Sequence, residues 1–188
     1  CPDFKVKLRG CDANIEIEIR PEAVYVSSGR KKGPGGLPVK SNGRALLLLS
    51  GGIDSPVAGW LTQKRGVRID AVSFDSFPLT GPQAKEKVRE LARVLGRWAP
   101  AVTLHTVPFG DIQMLFRENV YAEQLLLHYR RSMIRMADKL AEDLGAMALV
   151  TGECIGQVAS QTLPNLRAIE AVTLTPIIRP LVTFDKYE

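Results

Sequence analysis

The sequence predicts an α/β protein, a parallel sheet with helices on both faces, preceded by a small antiparallel β piece. Three observations carry this reading. From residue 45 onward short apolar runs alternate with longer helical periods, the pattern of a βαβ series. The first of those runs, Leu46-Leu47-Leu48-Leu49, is apolar without interruption, as a strand covered on both faces must be. Before residue 29 the hydrophobic period is two.

Residues 4–8, 14–19 and 23–28 alternate apolar and polar positions (Phe4, Val6, Leu8; Ile15, Ile17, Ile19; Val24, Val26), the period of half-buried strands in an antiparallel meander. Three short strands make a poor domain alone, so they are expected to finish a larger sheet. Residues 29–43 are rich in glycine, proline and lysine and read as a linker and domain boundary. There follow strand 45–49, helix 54–65 closed by Gly66, strand 68–74, helix 83–97, strand 101–107, helix 111–118, helix 122–144 closed by Gly145, and strand 146–151. Ligands of such sheets bind beyond the carboxyl ends of the strands. Ser50, the Ser73-Phe74-Asp75 stretch and Thr151-Gly152-Glu153 all fall there.

The 188 residues are 45% apolar and 24% charged, ordinary for a globular protein. No apolar run approaches the ~20 residues of a membrane span, and no signal peptide opens the chain. A cytoplasmic protein without a membrane partner is expected. Cys1, Cys11 and Cys154 are odd in number and widely spaced, which suggests neither a disulfide framework nor a zinc site. The net charge of +5 is uneven: residues 1–44 hold nine Lys/Arg against five Asp/Glu, residues 45–188 sixteen against fifteen. A basic N-terminal segment suits a polyanion such as RNA, and equally a solvated basic surface. The chain opens Cys1-Pro2 and stops at Asp185-Lys186-Tyr187-Glu188, as if a helix were starting, and reads as a fragment cut at both ends.

Between the first parallel strand and its helix lies Ser50-Gly51-Gly52-Ile53-Asp54-Ser55. Gly51 and Gly52 are expected to turn the backbone through positive φ and to let it approach a ligand, while N–H groups at the helix start face an anion. Ser50 and Ser55 add hydroxyl donors. Asp54 is out of place beside phosphate alone but apt if Mg²⁺ bridges it to the phosphates. The loop lacks the Gly-Lys-Ser/Thr ending of a Walker A motif, which argues against γ-phosphate cleavage. The plainer alternative is a tight strand-to-helix turn.

Helix 122–144 carries Arg130, Arg131 and Arg135; Arg131 and Arg135 are one turn apart and could face one anion, or form a solvated basic face. Its methionines read as core packing. His105 and His128 have no partner at metal-ligand spacing and read as structural. Residues 151–162, dense in small and amide side chains, suit close approach of a nucleobase or ribose, or a plain loop.

The loop alone resembles the pyrophosphatase loop of enzymes that split ATP between its α and β phosphates and adenylate a substrate. Together with Gly35-Gly36-Leu37-Pro38, Lys64-Arg65-Gly66, Arg130-Arg131-Ser132-Met133, Thr151-Gly152-Glu153, Gln157 through Thr162, Ile178-Arg179-Pro180-Leu181 and Asp185-Lys186, it makes the chain resemble the tRNA 4-thiouridine synthetase family in order over nearly its whole length. The resemblance implies that residues 1–28 end a THUMP RNA-binding domain and that residues 45–188 are most of a PP-loop ATP pyrophosphatase domain, adenine nucleotide alpha hydrolase-like in fold. It implies Mg²⁺-ATP activation of uridine at position eight of tRNA as an O4-adenylate, then sulfur transfer from a cysteine desulfurase, and a role in making the thiamine thiazole. Residue by residue, Leu48, Leu49, Ser73 and Phe74 would flank the adenosine, and Arg130, Gly152 and Gln161 would contact the nucleotide. Ser50, Gly51, Gly52, Ile53, Asp54 and Ser55 would hold the pyrophosphate end, with Asp54 also on the metal. The family's sulfur-handling cysteine would lie beyond residue 188, and Cys154 stands where members more usually carry serine or alanine, as packing or as a nucleophile. A homodimer is left open. Rival readings are another adenylating enzyme of the loop family, making an amide or a different base, and a non-catalytic tRNA-binding fragment.

Overall fold

Ile15, Ile17 and Ile19 share one side of β1 (Ile15–Ile19), which pairs antiparallel with β2 (Val24–Ser28), Ile17 opposite Val26. The computed structural model describes residues 5, 7, 9–29, 31–33, 35–99 and 101–185, so most of the strand expected over residues 4–8, with Phe4, Val6 and Leu8, lies outside the described residues. So do Cys1 and Lys186. The apolar residues of the β1–β2 hairpin are exposed, Ile17 at 63% and Val26 at 67%, rather than half-buried as their alternation implies. The chain divides into two compact units at Gly35/Gly36, inside the stretch read as a linker. Residues just after that boundary are tied to the second unit: the Leu37 N–H donates to the Lys64 carbonyl and the Asn42 N–H to that of Gly66.

In the second unit, neighbours in sequence point to opposite faces of β3 (Arg44–Leu48), and both Leu46 and Leu47 are fully buried. That explains the unbroken leucine run. β3 lies at the centre of a five-stranded, all-parallel sheet with β4 (Arg68–Asp75) and β5 (Leu104–Pro108) to one side and β6 (Ala148–Val150) and β7 (Ile177–Ile178) to the other. α1 (Asp54–Lys64) and α2 (Pro82–Gly96) cover one face, packing Ala58, Val88 and Leu95 on Leu47, Ile69 and Val150. α3 (Gly110–Asn119) packs on α4 (Ala122–Leu144), and α4 covers the other face together with α5 (Leu163–Glu170). There Ile134, Ala137, Ala141 and Ile169 meet Leu46, Val72 and Leu149. In α4 the spacing of Ile134, Ala137 and Ala141 is that of one helical stripe, and Gly145, at φ 65°, ends it as expected.

The expected elements from residue 45 to 151 are all present, with shifted ends. β5 begins at Leu104 rather than 101; Thr103 just before it receives the Ala71 N–H on its carbonyl and donates its own N–H to the Asp70 carboxylate. β6 is three residues long instead of six. The 3₁₀ turn Ala159–Gln161 falls in residues 151–162, for which a plain loop is one of the expected readings, and α5 and β7 lie beyond the last element expected from the sequence. α5 has a local start signal, Thr162 accepting from the Asn165 N–H ahead of Pro164, whereas a two-residue strand has no period to detect. Among the described residues no helix is long and apolar enough to cross a membrane.

Candidate functional site

Because the chain leaves β3 toward β4 and later returns to β6 on the opposite side, the loops after β3 and β6 diverge. They leave a crevice at the carboxyl ends, the switch point at which open parallel sheets bind ligands. Two adjoining hollows open there. One, about 450 Å³, lies off the ends of β3 and β4 and is lined by Leu48, Leu49, Ser50, Gly51, Ser73 and Phe74. The other, about 380 Å³, lies between β3 and β6 and is lined by Leu48, Ser50, Asp54, Ser55, Arg130, Gly152 and Gln161. Leu48, Ser50 and Met133 border both. Residues far apart in sequence are thus brought to one cleft. Gly52 and Ile53 line neither hollow: Gly52 is exposed, and the Ile53 side chain borders a separate apolar hollow with Val57, Trp60 and Phe184.

The phosphate-type loop holds its shape differently from expectation. Neither Gly51 nor Gly52 takes the left-handed backbone, which corrects the positive φ expected of them. Hydroxyls do the folding. The Ser55 Oγ accepts from the Ser50 N–H at 3.0 Å and lies 3.1 Å from the Ser50 Oγ, which in turn accepts from the Gly52 N–H at 3.3 Å. Ser55 is buried and fixes the loop, while Ser50 is exposed and borders both hollows. Ile53 at the start of α1 provides no side-chain acceptor, so the helix's N-terminal N–H groups and positive dipole end are open to an anion.

Gly152 has a steric reason that sequence reading missed. A Cβ built on it would lie 2.6 Å from the Ser55 amide nitrogen and 2.7 Å from the Asp54 carbonyl carbon, so only glycine lets the β6 loop press against the start of α1. Next to it, the Glu153 carboxylate is buried and fully engaged. It accepts from Arg130 Nη1 at 2.5 Å, Arg179 Nε at 2.9 Å and Thr151 Oγ1 at 3.0 Å. Arg179 also donates to Glu170 of α5 at 3.2 Å. Neither Glu153 nor Arg179 announces this role locally, since they are 26 positions apart and meet only when β6 and β7 pair. Asp54 lines the same hollow half-buried and makes no ion pair among the described residues.

The other candidates sort by contact. Phe74 is held edge-on by fully buried Phe109, ring centroids 5.5 Å apart, and Phe109 by Tyr129 at 6.0 Å. Gln161 is 6% exposed, and its Oε1 has no protein partner among the described residues. Arg131 does not join Arg135 at an anion: its guanidinium donates to the Ala168 carbonyl and ties α4 to α5, while Arg135 is exposed. Cys154 is buried at 5% in the core cluster with Leu49 and Leu181, the packing reading of that residue. His128 packs on Phe116, and no group of three or more metal-ligating side chains occurs among the described residues.

Known proteins share this fold and much of this sequence. A crystal structure of a 4-thiouridine synthetase–RNA complex with bound ATP superposes with a TM-score of 0.90 at 49% identity, covering 100% of this chain and 49% of that one. A probable tRNA sulfurtransferase of Brevibacillus brevis is 49% identical over 187 residues, 100% of this chain and 47% of the relative. Another from Lysinibacillus sphaericus is 48% identical over 186 residues, 99% of this chain and 46% of the relative. The chain thus spans about half the length of the curated relatives it matches. A Pyrococcus horikoshii protein at 23% identity and TM-score 0.68 shares the fold. Residues 40–188 match the family model described as thiamine biosynthesis protein (ThiI), and with relatives near one half identical along its whole length the chain belongs to that family.

Proposed function

We propose that this chain is part of an ATP-dependent tRNA sulfurtransferase of the cytoplasm. The enzyme adenylates the uridine at position eight of tRNA, releases pyrophosphate, and replaces the activated oxygen with sulfur to give 4-thiouridine. Residues 1–28 end the THUMP module, residues 29–43 are the linker, and residues 45–188 belong to the adenylating domain. Sulfur arrives as a persulfide from a cysteine desulfurase, and the same transfer serves the thiamine thiazole. Association as a homodimer, readable by light scattering, belongs to the same proposal.

The observation that carries the reading is the convergence of Ser50, Gly51, Asp54 and Ser55 with Ser73, Phe74, Arg130, Gly152 and Gln161 on one cleft at the sheet's switch point. ATP laid along it has room for its adenosine between the ends of β3 and β4 and for its phosphates at the start of α1. As the uridine O4 attacks the α-phosphorus, negative charge builds on the departing pyrophosphate. The N–H groups at the start of α1, which no side chain caps, and the Arg130 guanidinium, held at the cleft by Glu153, would stabilise that charge with little reorganisation during the step. Mg²⁺ fits the donor set: Glu153 is engaged by two arginines and a threonine and Asp75 by Lys85, which leaves Asp54 as the cleft carboxylate available to a metal that takes one carboxylate and several phosphate oxygens. Bound there, the ion would neutralise phosphate charge in the transition state.

ATP–pyrophosphate exchange by the full-length protein, with and without tRNA, tests the function. Exchange and AMP formation that require tRNA are expected. ATP-dependent amide formation on another acceptor, or failure to bind ATP, would replace this reading with one of its rivals.

A further inference from the structure

Three cationic side chains line the two hollows of the cleft: Lys85, Lys87 and Arg130. Two are answered within the protein. Lys85 donates to Asp75 at 3.0 Å, and Arg130 to Glu153 at 2.5 Å. Lys87 makes no ion pair among the described residues, and it lies over the phosphate-type loop, its Cδ 3.6 Å from where a Cβ on Gly51 would sit. The loop itself contains no lysine, although a nucleoside triphosphate carries most of its charge on the β and γ phosphates. An uncommitted ammonium beside a loop short of cations has an evident ligand.

We propose that Lys87, reaching from α2, binds the β and γ phosphates of ATP and holds the pyrophosphate as it leaves. The assignment rests on the nucleotide reading of the cleft and extends it to a residue outside the loop. α2 begins after the long β4, so its first turns overhang the carboxyl end of the sheet, and Lys87 in the second turn reaches back across Gly51. A lysine in this place acts as a mobile point charge on phosphate oxygens, without the fixed bidentate geometry of arginine.

The test compares ATP with AMP in the full-length protein carrying Lys87→Met, which keeps the aliphatic length and removes the charge. Loss of one charge-assisted phosphate contact should weaken ATP and pyrophosphate binding about tenfold or more, while AMP, which lacks the outer phosphates, stays within about twofold. Lys87→Arg should recover most of the ATP affinity. A general packing defect would weaken both nucleotides alike. Equal weakening of ATP and AMP, no weakening of either, or a Lys87→Arg variant as defective as Lys87→Met would overturn the assignment. Wild-type protein that binds no ATP would overturn the proposed function, and the role of Lys87 with it.

Discussion

Asp54 and Glu153 line the same hollow, yet their surroundings set them to different tasks. Glu153 is held in ion pairs with Arg130 and Arg179, whereas Asp54 makes no ion pair among the described residues. Asp54→Ala should therefore slow adenylation ~100-fold or more while leaving folding stability within about 0.5 kcal/mol, because the carboxylate acts on charge in the transition state and packs little. Exchange of labelled pyrophosphate into ATP, measured beside a thermal melt, checks both halves; near wild-type exchange would remove Asp54 from the chemistry. The adjacent arginines should separate in the opposite sense. Arg130→Ala should weaken ATP binding. Arg131→Ala should leave ATP binding near wild type and cost about 1 kcal/mol of stability through the lost bond to the Ala168 carbonyl. Titration and denaturant unfolding of the two variants would expose an error in either assignment. Sequence spacing groups Arg131 with Arg135; only the packing of α5 shows that Arg131 is already engaged.

At the scale of elements, the cleft depends on how closely β6's loop approaches α1. Gly152→Ala would drive a methyl group into the Ser55 and Asp54 backbone, which no rotamer change can relieve. The substitution should cost about 1–3 kcal/mol of stability as an overpacking defect and displace the 50–55 loop. ATP affinity should fall more than tenfold, roughly the effect of losing one strong contact. A variant that melts normally and binds ATP normally would show that the loops have slack the structure does not display. The resemblance singles out Gly152, but the steric reason for glycine is not legible in the sequence, because the colliding atoms belong to a helix start 97 positions earlier. The helices were legible for a local reason: α2 and α4 each carry an apolar stripe, and Gly145 supplies a stop. α5 and β7 escaped because eight and two residues hold too little periodicity.

For the molecule as a whole, one buried pair should govern behaviour in acid. Asp70 on β4 is 1% exposed and paired with Arg44 on β3, whose guanidinium also reaches the Leu144 carbonyl at the end of α4. Burial works against the charged carboxyl, but the hydrogen bond and charge of Arg44, with the Thr103 N–H and Arg68, outweigh it and hold Asp70 below the usual carboxylate range. A carboxyl depressed in the folded state contributes its full stability above its unfolded pKa, near ~3.9, and loses it as pH falls through the lower folded value. Asp75, hydrogen-bonded by Lys85, shifts the same way but near solvent, where the effect is screened. Asp70→Asn should cost about 2–3 kcal/mol at neutral pH, since it leaves Arg44 without its anion, and should flatten the loss of stability below about pH 4. Denaturant unfolding of both proteins across pH 2–7 measures this; parallel pH profiles would assign the acid transition to other groups.

The sequence by itself determined the strand-and-helix alternation, the parallel sheet, the glycine- and serine-rich turn at 50–55 and the family, because each is written in neighbouring residues or in motifs kept in order along the chain. Tertiary structure decided the rest. It showed that the loop closes on serine hydroxyls instead of left-handed glycines, that Glu153 joins Arg130 to Arg179, that Arg131 is structural, and that Lys87 overhangs Gly51. Apart from the serine contacts, which are local to the loop, each of these joins residues of different elements that only the packed fold brings together. The strand order that brings them together is set by long-range packing of two apolar faces, which no local period encodes.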